Sequence, residues 1–139
     1  TISDIITLHD YEELGDKFLE RYEDKDRILN NEIPHNNHKY AFANGYEYKG
    51  QPIIISEYGG IAFNEGRGWG YGNQVDTEEE FLNRYQNITN AIKELPYVSG
   101  YCYTQITDVQ QEINGLLKED RTPKIALEKI KLINDSPIK

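Results

Sequence analysis

Apolar residues along the chain change their spacing in a regular order, contiguous or alternating in three short stretches and recurring every three or four positions in the segments between. The run "PIIISEYGG" sets three β-branched isoleucines side by side with no polar alternation, which predicts a strand buried on both faces, as in a parallel sheet. "SDIITLHDY" before it and "YVSGYCYTQITD" after it predict two more strands. Leu14, Phe18 and Tyr22, at steps of four, predict an amphipathic helix from Glu12 to about Leu29. Phe81, Tyr85, Ile88, Ile92 and Leu95 predict a second helix, opened by the capping box Thr77-x-x-Glu80 and ended by Pro96. A last helix is expected from about Pro123, a good first-turn residue, turning Ile125, Ile130 and Ile133 inward. The expected order is β-α-β-α-β-α, the pattern of a parallel α/β unit.

Two connections stand out. "NNEIPHNNHKYAFANGYEYKGQ" reads as a long polar loop punctuated by Pro34, Gly45 and Gly50. "NEGRGWGYGNQ", Asn64 to Gln74, holds too many glycines for regular structure and is expected to present Trp69 and Tyr71 on a flexible backbone. No internal repeat, low-complexity tract or linker composition divides the chain, so residues 1–139 are expected to form a single unit. A three-stranded parallel sheet leaves two edges unpaired and one face short of cover, which predicts part of something larger, prone to associate with another copy through its edges. Each strand also ends in polar, chemistry-bearing residues: His9 and Tyr11 on the first, Glu57 before the Gly59-Gly60 turn on the second, Thr104, Gln105 and Asp108 on the third. Such convergence at C-terminal strand ends marks the active face of a (β/α)8 barrel.

Charge narrows the partners. With 24 Asp and Glu against 15 Lys and Arg, a formal charge of −9 and no basic cluster, nucleic acid and anionic membrane are not expected as partners. No apolar run approaches the roughly 20 residues of a membrane span. The start "TISDIITLHDY" lacks the basic region and cleavage site of a signal peptide, which predicts a soluble chain beginning in mid-structure, with the cytoplasm slightly favoured as its compartment. Aromatics make up 12 % of the residues, 11 of them tyrosine; such side chains suit sugar rings and equally fill the edges of a core. The lone Cys102 excludes a disulfide framework and is expected to be a small buried side chain. His35 and His38 lack a third ligand placed by the sequence, so solvated loop histidines are expected rather than a metal site. Asn87-Ile88-Thr89 matches a glycosylation acceptor but falls within the second predicted helix.

The blocks "HDY", "PIIISEYGG", "GWGYGN" and "GYCYTQITDVQQEINGLLKEDRTPK" together resemble the C-terminal part of the catalytic barrel of glycoside hydrolase family 2, the family of β-galactosidases, β-glucuronidases and β-mannosidases. The resemblance spans nearly the whole chain and is loosest from Glu12 to Gln51. It implies a partial TIM barrel in which the three strands are the sixth, seventh and eighth, with the rest of the barrel and the upstream β domains absent from these residues. It implies that Glu57 is the catalytic nucleophile, that Tyr11 hydrogen-bonds it and that His9 lines the sugar subsite. Asp108 matches a structural acceptor. The implied activity is that of a retaining, β-galactosidase-like β-glycosidase with a carbohydrate substrate and no cofactor. Such an enzyme needs a second carboxyl as general acid, ~5–5.5 Å from the nucleophile. In the family this acid lies in an asparagine-glutamate pair at the end of the fourth strand. Asn31-Glu32 and Asn64-Glu65 lack that strand context, so the fragment alone is expected to be inactive. One departure concerns a tryptophan that many members carry near the end of the eighth strand. Thr104 and Gln105 stand there instead, and Trp69 offers another aromatic platform. Two alternatives stay open: an endoglucanase-like barrel, and a non-catalytic sugar-binding or self-associating half-barrel.

Overall fold

The structure, a computed structural model, describes residues 3–137. Three parallel strands, β1 (Ile6–Asp10), β2 (Ile53–Gly59) and β3 (Val98–Thr104), form one sheet in the order β1-β2-β3. The helices are α1 (Gly15–Tyr22), α2 (Lys25–Leu29), α3 (Glu78–Lys93) and α4 (Leu127–Asp135). Of these, α3 packs on β2 and β3 and against both α1 and α4. Its start follows from the sequence: the Thr77 hydroxyl accepts the Glu80 N–H at 3.1 Å while the Glu80 carboxylate accepts the Thr77 N–H at 3.3 Å.

Two apolar clusters hold the layers together. In the first, Ile6, Leu8, Ile53, Ile55 and Tyr58 of the sheet meet Phe18 and Tyr22 of α1 and Ile88, Ala91 and Ile92 of α3. In the second, Ile61 and Val75 meet Phe81 and Tyr85 of α3 and Ile125, Ile130 and Ile133 from the C-terminal segment. Burial of such side chains contributes about 1.5–3 kcal/mol each, the dominant favourable term.

The expected alternation of strands and helices is present, with four local differences. The helix expected from Glu12 to Leu29 is two helices. The Asp24 carboxylate accepts the Asp26 N–H at 3.1 Å and caps a new start there, and Asp10 accepts the Glu12 N–H at 2.9 Å, holding Glu12 in a turn ahead of α1. The last helix begins at Leu127 because residues around Pro123 are engaged in extended pairing, Lys124 N–H donating to the Leu116 carbonyl and Lys118 N–H to that of Thr122. Cys102 is exposed and Ile54 half-buried. Both belong to the sheet face that no described helix covers, whereas Tyr101 and Tyr103 face the cores. Finally, the glycine-rich segment is pinned at its base, where Asn64 N–H donates to Val75 and Val75 N–H to Ala62, at 2.8 and 2.9 Å.

Gly59 ends β2 at φ +84°, a left-handed conformation open to glycine, and a Cβ there would stand 2.3 Å from the edge of the Tyr103 ring. Gly59→Ala is therefore expected to destabilise the fold by about 2–3 kcal/mol, combining backbone strain with overpacking. Urea unfolding measures it; a loss under about 0.5 kcal/mol would contradict this packing.

Candidate active site at the C-terminal strand ends

A single extra residue aims the central carboxylate. In β1, Ile6, Leu8 and Asp10 face the helices, so Thr7, His9 and Tyr11 fall on the open face. In β2 the same alternation, started by buried Ile53 and Ile55, would carry Glu57 toward the helices. The register instead jumps from Leu8 opposite Ile55 to His9 opposite Glu57, leaving Ser56 unpaired. On the other side, Ile55 and Tyr58 face Tyr101 and Tyr103, the same one-residue excess in β2. This bulge turns Glu57 to the open face and drops Tyr58 into the core, 1 % exposed.

On that face the Tyr11 hydroxyl donates a hydrogen bond to Glu57 Oε2, and His9 Nδ1 lies 3.6 Å from the same oxygen. Burial, followed by the hydrogen bond to Glu57, pushes the Tyr11 phenol above its ordinary value, so it remains a donor throughout the neutral range. Glu57 and His9 are each more than a third exposed at the side chain, so a ligand has access to both.

The glycine-rich segment brings two further aromatics to this pair. Tyr71 lies flat on Tyr11, ring centroids 3.5 Å apart and planes 4° from parallel, and Trp69 meets Tyr71 edge-on at 5.5 Å and 86°. Trp69 itself is 41 % exposed at the rim. Its backbone is fixed to the segment after β3, Trp69 N–H donating to Gln111 and Ile113 N–H to Trp69, at 2.8 and 3.0 Å. Arg84 of α3 donates to the carbonyls of Tyr71 and Asn73, both at 2.7 Å, and Glu13 accepts from the Asn73 backbone and amide. Sequence reasoning gave Tyr71 no part in the site. The signal was the Gly59-Gly60 pair: Gly60, at φ +61°, has no Cβ because the Tyr71 ring occupies that space.

Other candidates are placed apart. Thr104 pairs with Gly59 across the sheet, the Thr104–Gln105 peptide is cis, and the Gln105 amide turns to the Glu112 carbonyl at 3.5 Å. Neither side chain hydrogen-bonds Glu57 among the described residues. Asp108 is buried, accepting the Gly115 N–H and the Lys124 ammonium, each at 2.8 Å. His35 is buried rather than solvated: its Nδ1 lies 2.9 Å from the His9 carbonyl, covering the free edge of β1, and burial lowers its pKa. Among the described residues no group of three or more His, Cys, Asp or Glu side chains could hold a metal, and no described helix is long and apolar enough to cross a membrane. Glu32 and Glu65 are both exposed and off the strands, Glu65 paired with Arg67 at 2.9 Å. A cavity of about 840 Å³ opens beside the site, bounded by Tyr11, Glu12, Glu13, Lys17, Asn36 and Asn73 among others.

No protein-family model and no curated protein matches the chain. Among solved structures, the chain is similar to a beta-glucuronidase from Bifidobacterium dentium, with 19 % identity and a TM-score of 0.59 over 97 % of this chain and 21 % of that one. It is similar to a beta-galacturonidase of glycoside hydrolase family 2 from Eisenbergiella tayi, bound to galacturonate, with 19 % identity and a TM-score of 0.60 over 97 % of this chain and 24 % of that one. An agarase shows 13 % identity and a TM-score of 0.54 over 94 % of this chain and 17 % of that one. The chain thus spans a quarter or less of each, and its fold is that of one part of these larger glycosidases.

Proposed function

We propose that this chain is the C-terminal part of a family 2-like retaining β-glycosidase barrel, with Glu57 as its nucleophile. The observation that carries the reading is the Tyr11–Glu57 hydrogen bond on the open sheet face, at the C-terminal ends of parallel strands. In the first step a Glu57 oxygen attacks the anomeric carbon, forming an ester as the bond to the leaving oxygen breaks. The leaving oxygen takes its proton from a general acid. In the second step water attacks the same carbon, loses its proton to the conjugate base of that acid, and releases Glu57 as carboxylate. Tyr11 holds the carboxylate in the attacking orientation, His9 lines the sugar subsite, and exposed Trp69 offers a face to the sugar. The general acid comes from strands outside these residues, as do the further domains of the whole enzyme.

Incubation with activated 2-deoxy-2-fluoro glycosides of several sugars, followed by peptide mass spectrometry, tests the nucleophile, because an activated leaving group needs no acid. The 139-residue chain and the longest form of the protein carrying it are treated in parallel. An adduct on the Glu57 peptide is expected. Sugar binding with no adduct in either form would instead favour a non-catalytic sugar-binding half-barrel.

Tyr11→Phe is expected to slow this labelling roughly 10–100-fold, the effect of losing a hydrogen bond of about 1.5–3 kcal/mol to a charged group. In the wild type the upward shift of Tyr11 keeps its proton in place as pH rises. Labelling should therefore show no alkaline loss from Tyr11 ionisation below about pH 10, the ordinary tyrosine value. A decline centred well below that pH in the wild type and absent from Tyr11→Phe would contradict Tyr11 as a donor that keeps its proton.

A further inference from the structure

We infer that Tyr71 is a positioning residue: its ring, stacked on Tyr11, fixes the direction from which the Tyr11 hydroxyl meets Glu57. The inference rests on the reading of Glu57 as nucleophile. Tyr11 lies just beyond the end of β1 and is only partly buried, so its ring has to be held by neighbours from other elements. Tyr71 holds it by covering the flat of the ring at 3.5 Å and 4°.

A nearly parallel pair at this separation is not the arrangement that aromatic quadrupoles favour, which is offset or edge-to-face. The backbone holds it in place. Tyr71 N–H donates to the Gly60 carbonyl at 2.8 Å, and Gly60 lies just past the end of the strand that carries Glu57. Arg84 grips the Tyr71 and Asn73 carbonyls from α3, and Glu13, just after Tyr11 in the chain, holds Asn73. The Trp69 edge abuts Tyr71. Donor, carboxylate and stacking ring are thereby tied to one rigid frame, so the Tyr11–Glu57 geometry is set before substrate arrives.

The test compares Tyr71→Phe, which keeps the stack, with Tyr71→Leu, which keeps bulk but not the flat face, and with Arg84→Gln, which loosens the grip without touching either ring. Labelling by an activated 2-deoxy-2-fluoro glycoside is followed against glycoside concentration in the longest form of the protein carrying these residues, with thermal melting as a control for folding. Tyr71→Phe is expected to stay within about threefold of the wild type. Tyr71→Leu is expected to lower the saturating rate about 10–100-fold while the half-saturating concentration moves less than about threefold. Arg84→Gln is expected to fall between them. A Tyr71→Leu protein that labels at the wild-type saturating rate, or that loses only half-saturation, overturns the inference and leaves Tyr71 as packing or a sugar contact. An NMR readout is independent of labelling. The hydrogen-bonded Tyr11 hydroxyl proton should persist in Tyr71→Phe and vanish in Tyr71→Leu, and its survival in Tyr71→Leu would also overturn the inference. If the wild type takes no label, the nucleophile reading fails alone and the NMR comparison still decides the role of Tyr71.

Discussion

Replacing Glu57 with glutamine is expected to abolish covalent labelling and, in the longest form of the protein carrying these residues, to lower hydrolysis of an aryl β-glycoside roughly 10⁴–10⁶-fold, the scale of removing a nucleophile. Glutamine has the shape of glutamate, and its amide oxygen still accepts from the Tyr11 hydroxyl, so the site geometry survives while the attacking charge does not. Glu57 is partly exposed, and its substitution should leave stability within about 1 kcal/mol. The size of the effect separates Glu57 from its neighbours. On the proposed reading Tyr11 and Tyr71 act through the carboxylate, so their variants would slow a reaction that still proceeds, whereas the Glu57 variant would have no covalent path. Glu57→Gln that still forms an adduct elsewhere, or hydrolyses within about tenfold of the wild type, would move the nucleophile to another residue.

How far the sequence anticipates this site depends on the kind of contact involved. Buried isoleucine runs, steps of four in α3 and the Thr77 capping box act over a few residues, and they are legible. Glu57 at the end of such a run is legible for the same reason. The direction of its side chain is not. Simple alternation from Ile55 points Glu57 into the core, and only the bulge at Ser56, a property of pairing with both neighbouring strands, turns it outward. Tyr71 illustrates the same limit. Its glycine-rich surroundings suggest a flexible loop, yet the segment is fixed by Arg84, Glu13 and Gln111, each distant in sequence. Cys102 and Ile54 err in the opposite sense: their apolar character suggests burial, but the sheet face they share has no described layer against it.

Lys124→Met is expected to destabilise the chain by about 3–5 kcal/mol, the cost of leaving the Asp108 carboxylate buried without its partner. Both side chains are almost completely enclosed, at 2 % and 7 % exposure, so solvent does little to weaken the pair. The Lys124 ammonium also donates to the Ile113 carbonyl at 2.8 Å, and Asp108 also accepts from Gly115, so one ion pair ties together four positions of the segment after β3. For a chain of this size the loss corresponds to a fall in Tm of roughly 10–20 °C. The double variant Asp108→Leu/Lys124→Met removes both charges and should recover most of that loss, because the penalty lies in the unpaired charge rather than in the absence of the pair. Single and double variants that melt together would show that the charges are solvated or otherwise paired. The same segment carries Gln111 and Ile113, the partners of Trp69. Lys124→Met should therefore loosen the aromatic rim and raise the glycoside concentration needed for half-maximal labelling at temperatures where the fold persists. The double variant should restore both, which would place the buried pair as the anchor of the rim rather than a group in the chemistry.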